Sequence, residues 1–179
     1  LQPAAKAAAA KLSINTLDKN APNISCLPAG LPIVITAPAP FKIVQTPAVT
    51  LMLSEADTTF RQVFTDGRPL PADPQPSFMG SSVGRWEGDT LVVQSVGFND
   101  RVPLDAMGHM HSTALQITER YHRRDYGHLD IEMTFADPNT FTQPVTVRFG
   151  ARLRPDTDLI EYFCTENEKD RDHLAAQTH

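Results

Sequence analysis

The chain has little of what marks a named chemistry. It carries two cysteines and one tryptophan in 179 residues. No Cys pair has zinc-finger spacing, and no glycine-rich loop is fit to cradle a phosphate. Ser81 and Ser82 lack the glycine elbow of a hydrolase nucleophile. No apolar run approaches the roughly 20 residues of a membrane span. No Lys/Arg cluster interleaved with aromatics forms a base-stacking surface, and the net charge of -5 speaks against a nucleic-acid partner. The first residue is Leu1 rather than an initiator Met, which leads us to expect processing or truncation.

What is present is β-pattern. Leu115, Ile117 and Tyr121 alternate with polar residues, as do Leu129, Ile131, Met133 and Phe135. Period-two alternation predicts two half-buried strands. Asp125-Tyr126-Gly127 between them predicts a three-residue hairpin loop, with Gly127 in the left-handed position. That loop pairs Arg124 with His128. Tyr121 then faces Ile131 and Ile117 faces Phe135, while Arg120 faces Glu132 and His122 faces Asp130 on the other side. A slip of one residue would ruin both faces. The same register carries Glu119 to the apolar side, opposite Met133. A carboxylate there must be paired, hydrogen-bonded or protonated.

Further strands are predicted over 41–46, 50–54, 58–65, 82–86, 89–98, 145–153 and 159–164. Turns are expected at Ala56-Asp57, Glu87-Gly88, Asp137-Pro138-Asn139 and 155–158. Residues 66–76 and 99–112 read as two long loops. About nine strands joined mostly by short turns predict an all-β antiparallel meander. It closes into a lipocalin-like barrel, with a β-sandwich as the alternative. The alanine-rich stretch 3–12 predicts a short helix. Prolines at 22, 28, 32, 38 and 40 predict an extended arm on the surface without helix or central strand. Thr165 and Glu168 form a capping box for a short C-terminal helix. The organisation expected is an N-terminal arm, 1–40, and a single β domain, 41–179.

Glu119 is the sharpest catalytic candidate, as general acid or base with His111 or Arg85 as partner. The competing reading is a structural carboxylate bound to an interior arginine, Arg85 or Arg61. His109 and His111 at i, i+2 point to one side of an extended segment, a spacing that suits a metal, though two solvated histidines are the plainer reading. Eight residues of straight strand would hold His111 roughly 27 Å from Glu119. They share a site only if the chain turns near Ser112-Thr113. Asp66-Gly67-Arg68 ends a strand and makes Asp66 a further catalytic candidate and Arg68 a ligand-binding one, against a plain Asp-Gly turn. Trp86 and Tyr121 are candidates to wall a ligand cavity, and Trp86 could equally fill core. Cys26 and Cys164 are either a disulfide, which the loop-entropy model values at about 4 kcal/mol, or two free thiols.

Several segments together resemble a family of uncharacterised exported bacterial proteins. They are 41–47, 60–68 (Phe-Arg-Gln-Val-Phe-Thr-Asp-Gly-Arg), 84–93 (Gly-Arg-Trp-Glu-Gly-Asp-Thr-Leu-Val-Val), Thr118-Glu119-Arg120-Tyr121, Asp137-Pro138, 155–157 and 26–30 (Cys-Leu-Pro-Ala-Gly). The likeness runs from about Cys26 to His173. It departs at Leu70, where the family often has His, and at Met110, where it often has Pro. The family's usual Asp-Leu-Ser-Gly-x-Trp-like leader segment is not in this sequence. The resemblance implies a periplasmic or secreted protein and supports the disulfide, but it implies no activity. Three functions are therefore expected in order. The first is an exported barrel binding a small apolar ligand. The second is a hydrolase or lyase using Glu119. The third is a non-catalytic subunit whose N-terminal arm meets a protein partner. No cofactor is predicted beyond the weak metal candidate at His109 and His111.

Overall fold

The computed structural model describes residues 1–9, 27–105 and 107–161. Eight strands lie side by side in chain order in one curled sheet, an all-β, barrel-like half-barrel. They are β1 (Phe41–Gln45), β2 (Val49–Ser54), β3 (Thr59–Phe64), β4 (Ser81–Glu87), β5 (Thr90–Val96), β6 (Gln116–Arg123), β7 (His128–Ala136) and β8 (Val145–Arg152). The β6–β7 register is the one the alternation demands, with Glu119 opposite Met133, Tyr121 opposite Ile131 and Arg120 opposite Glu132. Its loop differs in one respect: Gly127 does not take a positive φ. The Asp125 carboxylate stabilises the turn instead. It accepts from the Gly127 amide at 2.8 Å and lies 2.8 Å from His128 Nδ1, so an Asx turn replaces the left-handed glycine.

The sheet is not a pure antiparallel meander. β3 and β4 run parallel, joined in register only at Val63–Ser82 and Phe64–Val83. A parallel pair needs a crossover of a dozen or more residues, and the proline-rich loop 65–80 supplies it. The expected ninth strand does not appear at residues 159–161, and the rest of it lies outside the described residues. So do Cys26, Cys164 and the predicted C-terminal helix. Two irregular ties carry the chain after β8 back to the other edge of the sheet. Asp158 reaches Lys42 at 2.7 Å, and the Ile160 amide donates to Glu55 at 3.2 Å.

Two segments expected outside the core supply much of it. The concave face is filled by Leu31, Val34 and Ile35 from the supposed surface arm and by Leu104 from the second long loop, with Phe98 and Leu115, expected as strand residues, packing beside them from just outside that loop. After α1 (Pro3–Ala9), the chain forms a one-turn helix, α2 (Ile33–Thr36), within the proline-rich stretch. Proline at a helix start is compatible with the first turn, and five proline-free residues follow Pro32, which is room for one turn. Leu31 is fully buried. Its amide bonds to Phe78 O at 3.0 Å, and the Ala29 amide bonds to Asp57 at 2.7 Å. Gly30 takes φ +69, and a Cβ there would lie 2.8 Å from Val102. A larger residue could not bring the plug so close. The other end of the arm is also held by this chain: the Gln2 amide donates to Thr140 O at 2.8 Å.

Candidate functional site

Alternation on β3 sends Arg61 and Val63 inward, and Phe60, Gln62 and Phe64 outward. Each face builds a different site.

Inside, Arg61 is 4% exposed and Glu119 is fully buried. The guanidinium grips the carboxylate with both terminal nitrogens. Nη1 lies 3.0 Å from Oε1, and Nη2 donates to Oε2. Its remaining N–H groups point to Ser82 Oγ at 3.0 Å, Ser95 Oγ at 2.7 Å and Met52 Sδ at 3.8 Å. Every donor of the fork thus has a partner. The Tyr121 hydroxyl adds a bond to Glu119 Oε1 at 2.6 Å. Burial, and then the Glu119 charge, push that phenol well above its usual range. Burial opposes the charge on Arg61, yet the attraction of Glu119 outweighs it and raises the guanidinium's pKa. The space beside Arg61, under α2, amounts to about 10 Å³, barely one water.

This geometry chooses Arg61, not Arg85, as the partner of Glu119. Arg85 pairs in register with Val92, while Glu119 pairs with Val93, so the two side chains leave opposite faces. Arg85 instead binds Glu87 at 2.7 Å on the convex surface, where Arg120 holds the other oxygen at 2.9 Å. The chain does turn at residues 113–114, yet His111 does not join Glu119. His111 is buried, its Nδ1 2.9 Å from Ser112 O and its ring edge-on to Phe98. His109 pairs with Asp105 at 2.8 Å. Among the described residues no three His, Cys, Asp or Glu side chains gather as a metal site would need. Tyr121 is committed to Glu119, and Trp86 is 52% exposed rather than part of the core.

Outside, the 65–80 crossover leaves a cleft of about 430 Å³ against β3. Phe60, Gln62 and Phe64 border it from the strand, Arg68, Pro69, Pro71 and Met79 from the crossover, and Arg61 and Ser82 of the inner network line it as well. Phe60 is 62% exposed. The Arg68 guanidinium sits 3.9 Å from the centroid of the Phe64 ring, and both its Nε and Nη2 reach Asp66, the latter at 2.6 Å. Hydrogen bonds from Arg68 hold the Asp66 carboxyl below its ordinary range.

No protein-family model, curated protein or solved structure matches this chain.

Sequence reasoning reached Glu119, Arg68 and Asp66. It missed Ser82 and Ser95, which complete the inner network, and Phe60 and Phe64, which wall the cleft. Period-two parity on β3 is the available signal for the two rings, while the serines sit on β4 and β5, where parity on those strands is the signal. Asp137 carries no sequence signal beyond that of a turn residue. Asp137 is 2% exposed. It accepts from the Ser112 amide at 2.7 Å, the Ser112 hydroxyl at 2.8 Å, the Asn139 amide at 3.0 Å and the Thr140 hydroxyl at 2.7 Å. Burial alone would raise its pKa, but those bonds together lower it. This carboxylate fastens the long loop before β6 to the loop after β7.

Proposed function

We propose that the chain is a non-catalytic binding protein that takes a small, mostly apolar ligand bearing an anionic group. The ligand lies in the cleft between β3 and the 65–80 crossover. The cleft itself carries the reading. Its volume falls within the usual ligand-site range of roughly 300–1,000 Å³, and its walls combine the Phe60 and Phe64 rings and aliphatic Pro69, Pro71 and Met79 with polar Gln62 and Ser81 and the exposed Arg68 guanidinium. Phe60 offers a ring face for stacking, and Arg68 offers a planar fork for a carboxylate or sulfonate, in exchange for Asp66. A catalytic role for Glu119 has less support. Its oxygens are engaged by Arg61 and Tyr121, and the space under α2 beside Arg61 is only about 10 Å³. Export belongs to the proposal, and its support is the family resemblance.

The probe is 8-anilinonaphthalene-1-sulfonate, an aromatic anion whose emission rises in apolar sites. We expect saturable binding to the folded protein. Phe60→Ala and Arg68→Ala should each weaken it by about fivefold or more, since one aromatic or charged contact is worth about 1 kcal/mol. Trp86→Ala, outside the cleft, should leave it unchanged. Binding that ignores both cleft substitutions would discard the proposal.

A further inference from the structure

The half-barrel has two edges, and they are not treated alike. The β1 edge is approached by the chain that follows β8, through Lys42–Asp158 and Glu55–Ile160. The β8 edge has no such cover among the described residues, where β8 pairs with β7 alone. An edge strand presents a row of free N–H and C=O groups, a template for another strand.

The free row can be identified. In the β6–β7 hairpin the Arg124 amide donates to His128 O, so the even-numbered residues of β7 bond toward β6 and the odd-numbered ones toward β8. The Leu153 amide donates to Gly127 O at 2.8 Å, which agrees. On β8, therefore, Val145, Val147, Phe149 and Ala151 turn their main-chain groups to β7. Thr146, Arg148, Gly150 and Arg152 turn theirs outward. The inward-facing side chains at this edge are incompletely covered: Val145 is 40% exposed and Val147 39%, with Leu153 beyond the strand at 46%.

We infer that β8 pairs antiparallel with β8 of a second copy of this chain, in a register centred on Phe149. That register sets Phe149 against Phe149, Val147 against Ala151 and Val145 against Leu153, apolar on apolar along one face. On the other face it sets Arg148 against Gly150 and Thr146 against Arg152, so no two arginines are directly opposed. All four outward residues of each copy meet outward residues of the other, which is the pairing the hydrogen bonds need. Centring one residue earlier, on Arg148, would oppose the two Arg148 side chains and set Pro144, which has no N–H, against Arg152. The strand's own sequence therefore selects one two-fold arrangement.

Sedimentation equilibrium of the full chain tests this. We expect a dimer of twice the 19.7 kDa chain mass. Gly150→Pro removes an outward N–H only. A Cβ there meets nothing closer than Leu129 O at 3.7 Å, so the fold is expected to survive, as circular dichroism will report. Val147→Lys charges the uncovered face without touching the main chain. Each should weaken dimerisation by about tenfold or more. A wild-type monomer at the highest soluble concentration would overturn the inference, whether the edge is left bare or is covered by other residues of the same chain. So would a dimer that both variants leave intact.

Discussion

Arg61 and Arg68 stand seven positions apart, and the chain uses them in opposite ways. Both hold a carboxylate with the planar fork. Arg61 does so at 4% exposure with every N–H committed, to Glu119, Ser82, Ser95 and Met52. Arg68 does so at the surface, with its side chain half exposed and a cleft beside it. The inner pair cannot exchange partners, because nothing else could solvate either charge. The outer pair can, because water or a ligand anion can replace Asp66. The same ion pair is therefore a fastener in one place and a receptor in the other, and burial alone makes the difference.

The hardest way to break the comparison is to cut the inner pair. Glu119→Ala strands the Arg61 charge among apolar neighbours, and the expected loss is about 3–5 kcal/mol of folding free energy. Replacing both members, Arg61→Met with Glu119→Met, removes the stranded charge. The double variant should be more stable than Glu119→Ala alone by about 2 kcal/mol. Denaturant melts of the wild type, Arg61→Met, Glu119→Ala, Glu119→Met and the double variant measure both the loss and the coupling. A Glu119→Ala cost under about 1 kcal/mol would mean that the pair is solvated after all, and the contrast with Arg68 would collapse.

Asp137 lies between the two extremes. It is buried like Glu119, but its partners are neutral: two amides and two hydroxyls. Asp137→Ala leaves those donors unpaired, and should cost about 2–3 kcal/mol. The carboxyl's pKa is lowered in the folded state. Its stabilisation is thus complete above the unfolded value of about 3.9, and is lost as pH falls through the lower folded value. Melting temperature followed from pH 6 to pH 2 should fall less steeply for Asp137→Asn than for the wild type. Parallel curves would show that this carboxylate carries none of the acid sensitivity.

How far each of these sites can be read from sequence follows from the range of the interactions that build it. The β6–β7 register was legible because alternation and a short loop determine it locally, and it carried Glu119 to the core with its facing residues correct. The partner of Glu119 was open, since Arg61 and Arg85 both precede it at a distance and only the β4–β5–β6 register, which puts Arg85 on the other face, tells them apart. The parallel β3–β4 step was hidden as well, because a crossover looks like any polar proline-rich loop. The plug at Leu31, Val34 and Ile35 was hidden for a similar reason. Its three apolar residues are too few for a periodic signal, and the prolines around them suggest exposure. Asp137 shows the complementary limit: a turn motif was visible, but its bond to Ser112 spans 25 positions of chain.

The mildest perturbation sharpens the comparison most. Arg68→Ala removes a charge that water already shares, so the melting temperature is expected to stay with the wild type while the aromatic anion binds about fivefold or more weakly. Asp66→Asn should do the reverse to the ligand. It weakens the partner that Arg68 must release, so the anion should bind more tightly, by about two- to fivefold. Fluorescence titration of the two variants beside the wild type reads both changes on one scale. Opposite shifts in affinity at unchanged stability are what an exchangeable surface pair requires. If Asp66→Asn weakens binding as Arg68→Ala does, Asp66 is holding the guanidinium in place for the ligand rather than competing with it, and the outer pair is a fixed element like the inner one.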